Sequence, residues 1–206
     1  SYLISSNGAR IHNENNEIIF KGDIPKELSN EIFDLNINEE IYKNIYKDDF
    51  WFSEKPLDEA HEYHKESGFT YSVRKFSELK NSEVIKFFYI NEDEKLIRNL
   101  ENEINEKFGN RINLTLSLPI CLEIMNKGIS KGNAIKDILL PKFKITPEEV
   151  ISFGDGLNDY EMLDIVGEGL LMGNCNPRLK ELLPNNKVIG RNDEDGVAEY
   201  LKKVFL

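Results

Sequence analysis

The 206-residue chain is long enough for one large or two small domains, and at 40% hydrophobic residues it has the material for real cores. Its 37 acidic against 26 basic side chains, a formal charge of -11, disfavour both a nucleic-acid footprint and docking on anionic membrane. No apolar run approaches the roughly 18 residues that cross a bilayer, and Cys121 and Cys175 lack the spacing of a disulfide scaffold or a four-Cys zinc site; a cytoplasmic globular protein is expected.

The chain opens without Met in an apolar strand, which reads as the interior of a longer polypeptide. Residues 2–5 predict this strand, Asn7-Gly8 a turn, 9–12 a second strand, and Glu17-Ile18-Ile19-Phe20 its hairpin partner across the polar turn 13–16. Residues 24–35 predict a helix with Asp23 as N-cap, Pro25 in its first turn, and Leu28, Ile32 and Leu35 on one face. Residues 41–52 are β-rich, 56–65 a short polar helix and 69–73 a short strand. After a buried-type strand at 84–90, Asn91-x-x-Glu94 starts the clearest helix, capping-box fashion. Its apolar positions Leu96, Ile97, Leu100, Ile104 and Phe108 keep helical spacing until Gly109. Strands at 112–118 and 120–125 follow, then a helix over 130–143 with Ser130 as N-cap.

From there helices and strands alternate: helix 146–149, strand 150–153, helix 158–166, strand 169–172, a helix from Asn176-Pro177, strand 187–189 and helix 196–205. That rhythm predicts an α/β fold with a parallel, doubly wound sheet, and a β-rich middle inserted between two ends of one domain.

The strongest chemical signal is Gly154-Asp155-Gly156-Leu157-Asn158-Asp159, directly after an apolar strand and opening a helix. Ligands in open α/β sheets sit beyond the carboxyl ends of strands, so this loop is aimed at a site. Asp155 and Asp159 offer hard oxygen ligands suited to Mg²⁺, which takes one or two carboxylates and fills its remaining positions with water and substrate phosphate. The plainer alternative is an acidic turn with Asp as helix cap. The second signal is Lys131, in the first turn of a helix, where a cation opposes the macrodipole unless an anion is near. A solvated surface Lys is its plainer reading. Together the two segments supply one cation for phosphate and two carboxylates for metal. His61 and His64, among Asp58, Glu59 and Glu62, have a zinc-compatible i, i+3 spacing but read better as a solvated face. Asp48-Asp49-Phe50-Trp51-Phe52 fits either a substrate-facing aromatic wall or core, with core favoured, and both cysteines read as structural.

The Gly154–Asp159 stretch resembles the fourth motif of the haloacid dehalogenase (HAD) superfamily, and Ile129-Ser130-Lys131-Gly132 its third. Ser5-Ser6-Asn7-Gly8-Ala9 is similar to the segment after the second motif in the Cof-type (IIB) branch. Residues 4–10, 46–49, 121–123, 131–132 and 200–201 most resemble the pyridoxal phosphate phosphatases of that branch. The resemblance implies a HAD-like Rossmannoid core made of residues 1–14 and 125–206, with a C2-type α/β cap inserted at 15–124. It implies a Mg²⁺-dependent phosphatase of small phosphorylated metabolites, such as pyridoxal phosphate or sugar phosphates. Lys131 would hold phosphoryl oxygens, Asp155 would bind Mg²⁺, Asn158 would contact phosphate, and Asp159 would support metal and loop. The family's Asp-x-Asp nucleophile motif and second-motif Ser or Thr precede the matched segments and are not found with them. The aspartyl-phosphate is therefore expected on an Asp upstream of these residues. A sugar-phosphate mutase of the same branch is the alternative enzyme, and a phosphate- and Mg²⁺-binding remnant the alternative if these residues are the whole protein.

Overall fold

The computed structural model describes residues 1–57 and 68–206, in two compact units, 1–129 and 130–206. Most of the predicted 56–65 helix, with His61 and His64, lies outside the described residues.

In the first unit, β1 (Leu3–Ser5), β2 (Arg10–His12) and β3 (Ile18–Lys21) form the expected antiparallel meander. The helix α1 (Lys26–Phe33) begins after Pro25 rather than at Asp23. Proline suits a helix start because its missing N–H is not needed there. The Asp23 carboxylate instead pairs with Arg10 at 2.5 Å.

A six-stranded sheet follows, built from β4 (Tyr42–Lys47), β5 (Phe50–Ser53), β6 (Tyr71–Val73), β7 (Lys86–Ile90), β8 (Ile112–Leu118) and β9 (Cys121–Asn126). Its order is β6-β5-β4-β7-β9-β8, antiparallel except for the parallel β5–β6 pair. The aromatic run of β7 is buried at Phe87, Phe88 and Tyr89 alike, as a central strand covered on both faces requires. A short helix, α2 (Phe76–Leu79), precedes β7. The long helix α3 (Glu94–Phe108) lays Ile97, Leu100, Ile104 and Phe108 against β8 and β9. Its N-cap is Asp93, whose carboxylate accepts from the Lys95 N–H at 2.8 Å; Asn91 accepts from the Asp93 N–H one turn earlier. The Asn91–Glu94 spacing placed the cap two residues early, because an Asx turn and a capping box share the same residue types.

The second unit carries a separate parallel strand pair. The strand β10 (Ile151–Gly154) leads through α6 (Tyr160–Ile165) to β11 (Glu168–Leu171), and the two strands pair in parallel. The expected strand at 187–189 is reduced to a single parallel bridge between Val188 and Leu171. The helix predicted over 130–143 runs as α4 (Lys131–Asn133), a π-helical stretch (Ala134–Leu139) and α5 (Leu140–Phe143). The Ser130 hydroxyl caps it, accepting from the Asn133 N–H at 3.1 Å. Two further helices, α7 (Pro177–Leu182) and α8 (Gly196–Phe205), follow. Leu163, Leu171, Leu179 and Leu183 form the apolar cluster beneath the loop after β10. Among the described residues, no helix is long and apolar enough to cross a membrane.

Candidate active site

The carboxyl end of β10 turns sharply at Gly154. A Cβ there would stand 2.6 Å from the Cβ of Asp159, so only glycine lets the Asp159 side chain fold back under the loop. Folded back, its Oδ2 accepts from the backbone N–H groups of Asp155 (2.9 Å) and Gly156 (3.0 Å). Its Oδ1 accepts from the ammonium of Lys131 at 2.5 Å. The Asp159 side chain is only 6% exposed, and three donors compensate its buried charge.

Lys131 reaches that carboxylate because α4 and α6 approach closely. A Cβ on Gly132 would fall 2.6 Å from the Glu161 carbonyl carbon, so Gly132 sets the distance between the two helices. Burial holds the Glu161 carboxyl above its ordinary range, with the neighbouring Asp159 charge adding to the effect. The Lys131 side chain stays 30% exposed, so its ammonium remains within reach of solvent.

Asp155 has a different setting. It is half-buried, its Oδ2 accepts from the Asn192 amide at 2.6 Å, and its carbonyl accepts from the Asn176 N–H at 2.8 Å. Asn192 is itself held by reciprocal bonds with Asn174. Asn158 is half-buried on the same loop. Lys131, Asp155, Asn158 and Asp159, singled out from two segments of sequence, thus lie on one loop and the helix start beside it. The Asn174–Asn192 support was not foreseen; neither residue stands at a motif spacing from Asp155, and no local signal marks them.

The donor set fits a small, hard cation at Asp155. Among the described residues, no group of three or more His, Cys, Asp or Glu side chains able to hold a metal occurs. Asp159 ties the two segments together, one oxygen accepting from Lys131 and the other from the backbone of its own loop.

The remaining sequence candidates divide. Trp51 is buried and donates to Asn44 at 2.9 Å, whereas Phe50 is exposed. Burial pushes the Cys121 thiol up to about 11, away from nucleophilic reactivity, and Cys175 is raised for the same reason.

Comparison with known proteins gives the family of the chain. Residues 1–201 match the family described as haloacid dehalogenase-like hydrolase. A candidate phosphatase of Haemophilus influenzae is 36% identical over 204 residues, covering 98% of this chain and 75% of that protein. An HMP-PP phosphatase of Serratia proteamaculans is 32% identical, covering 98% and 73%. A crystal structure of a haloacid dehalogenase-like hydrolase from Bacteroides thetaiotaomicron superposes with a TM-score of 0.75 at 26% identity, covering 100% of this chain and 77% of that one. The chain belongs to the haloacid dehalogenase-like hydrolases.

Proposed function

From membership in that hydrolase family, whose relatives include named phosphatases, we propose that this enzyme is a Mg²⁺-dependent phosphomonoesterase of small phosphorylated metabolites. One observation carries the reading: Asp159 ties the Lys131 ammonium and the Asp155 loop to a single buried carboxylate. A cation for phosphoryl oxygens and an outward carboxylate for a metal are thereby fixed before substrate arrives. Phosphoryl transfer needs little else from the protein than positioning and charge neutralisation.

In this reading Lys131 binds and neutralises the phosphoryl oxygens, and Asn158 adds a hydrogen bond to them. Asp155 would hold Mg²⁺, which supplies further neutralisation of the phosphate charge when bound. Asp159 keeps Lys131 and the loop in place. The nucleophile is an Asp outside these residues, phosphorylated and then hydrolysed by water. The α/β core comprises residues 1–14 and 125–206 and the inserted cap residues 15–124. Pyridoxal phosphate and sugar phosphates are the leading substrates, and the 32% identity to an HMP-PP phosphatase adds that compound to the screen.

The test is phosphate release from these compounds by the full-length enzyme with and without Mg²⁺. Release that needs Mg²⁺ and disappears in Lys131→Ala and Asp155→Ala supports the reading. Wild-type turnover in either variant would remove these residues from the site.

A further inference from the structure

Asp155 and Asp159 stand on one loop, yet their partners differ in charge. Asp159 faces the Lys131 ammonium, which offsets its charge. Asp155 faces the neutral amide of Asn192, which donates to its Oδ2 at 2.6 Å. An amide fixes a carboxylate oxygen without neutralising it, so the negative charge stays available to a cation.

The second unit keeps that amide in place from two sides. Asn192 donates its backbone N–H to Asn174 Oδ1 at 3.0 Å and accepts from the Asn174 amide at 2.8 Å. The segment carrying Asn192 is a closed turn: the Arg191 carbonyl accepts from the N–H groups of Glu194 (3.3 Å) and Gly196 (3.0 Å). A Cβ on Gly196 would collide with the Gly190 carbonyl, so only glycine lets this turn close. Next to Asn174, the Gly173 N–H donates to the same Gly190 carbonyl at 3.0 Å. The Asn176 N–H then reaches the Asp155 carbonyl at 2.8 Å, so three loops are joined through both backbone and side chains. The turn's own cation, Arg191, is taken up by Asp193 through bonds of 2.9 and 3.0 Å. Its charge is answered within the turn, and a neutral donor is what meets Asp155.

We propose that Asn192, braced by Asn174, is a positioning residue that orients the Asp155 carboxylate for Mg²⁺ while leaving its charge intact. The inference rests on the reading of Asp155 as the group that holds the metal. A carboxylate already kept in one rotamer loses less side-chain freedom when an ion binds. Outer hydrogen bonds of this kind are typically worth about 10–100-fold in metal affinity.

The test is calorimetric titration of the full-length enzyme with Mg²⁺ alone. Asn192→Ala should raise the Mg²⁺ dissociation constant about tenfold. Asn174→Ala should raise it too, and the double variant should bind no more weakly than Asn192→Ala, because both act through one amide. Asn192→Lys should weaken binding beyond the alanine variant, since an ammonium against Asp155 competes with the ion. At saturating Mg²⁺ the kcat of Asn192→Ala should stay within about twofold of wild type with melting unchanged, a split that a merely structural role would not produce. Wild-type Mg²⁺ affinity in Asn192→Ala, alongside lost binding in Asp155→Ala, overturns the proposal. So does a fall in kcat and melting temperature at an unchanged dissociation constant. Wild-type affinity in Asp155→Ala refutes the metal reading instead, and exchange of the Asn192 backbone N–H then decides whether the side chains hold one another. That exchange should be about tenfold faster in Asn174→Ala and about threefold faster in Asp155→Ala. Equal exchange in both variants and the wild type overturns the positioning claim.

Discussion

Two lysine–carboxylate pairs divide the molecule's polar chemistry, and they differ in what surrounds them. In the second unit Lys131 meets Asp159 with 30% of the lysine side chain exposed; in the first unit Lys86 meets Glu123 with 11% exposed. The buried Asp159 carboxylate is saturated by donors, while the ammonium facing it keeps access to solvent. Glu123 and Lys86 are both enclosed, with the lysine further covered by the Tyr46 and Phe88 rings. The same pair of charges thus sits in two settings: partly open, its ammonium stays within reach of solvent; closed, it is packed among protein groups.

The comparison makes predictions that differ in size. Removing the open site's ligand-facing groups should have the largest effect. Asp155→Ala or Lys131→Ala is expected to cut phosphatase kcat by roughly 10²–10³-fold, the loss seen when one preorganised charge-stabilising group is deleted. Thermal melts should show both variants still folded.

The closed pair is next. Lys86→Met alone leaves Glu123 buried and unpaired and should cost about 3–5 kcal/mol in denaturant unfolding, whereas the double replacement with Glu123→Leu should fall near wild type. Equal losses in the single and double variants would mean that the pair stabilises the fold outright, and the contrast with Lys131–Asp159 would weaken.

A smaller effect is expected at Asp159→Asn. The amide would point a donor at Lys131 or at the Asp155 and Gly156 N–H groups, costing about 1–3 kcal/mol for the donor left unpaired. Activity should fall with it, because Lys131 loses its partner. Gly154→Ala tests the same fold-back by sterics and should cost about 1–3 kcal/mol, as overpacking of a filled site does. At the bottom of the scale, Lys202→Ala breaks an exposed i, i+3 pair with Glu199 and should leave melting and kinetics unchanged.

The open pair and the closed pair were not equally legible in the sequence. The loop 154–159 follows an apolar strand, and Ser130 announces a helix start, so Asp155, Asp159 and Lys131 could be picked out by local pattern, whereas Asn158 came only from the resemblance to the family's motif. What that pattern could not give was the direction of the Asp159 carboxylate, because the fold-back depends on the space left at Gly154 and on Lys131 from another segment. The Asn192 contact to Asp155 is likewise tertiary and has no spacing to betray it. The closed pair left no trace at all. Lys86 and Glu123 sit inside strands whose apolar neighbours dominate the reading, and only the alignment of β7 with β9 brings them together.

Secondary structure followed the same division. The hairpin at 9–20, the helix to Gly109 and the alternation after residue 146 come from periodicity and turn residues, and the structure has them except for the strand at 187–189, which shrinks to one bridge. The misplaced caps at Asp23 and Asn91 arose where residues good at capping were needed elsewhere, one for an ion pair and one for an Asx turn. The π-helical stretch within 134–139 has no signature in residue type.

The central claim is that Asp155 and Lys131 together make a metal-assisted phosphate site. Its most direct test is a Mg²⁺ titration of phosphate release by the wild-type enzyme and Asp155→Asn, measured side by side with pyridoxal phosphate. The account predicts saturable Mg²⁺ activation in the wild type and none in the variant, with the two proteins melting alike. Equal activation of both, or full wild-type turnover in the presence of a chelator, would contradict it.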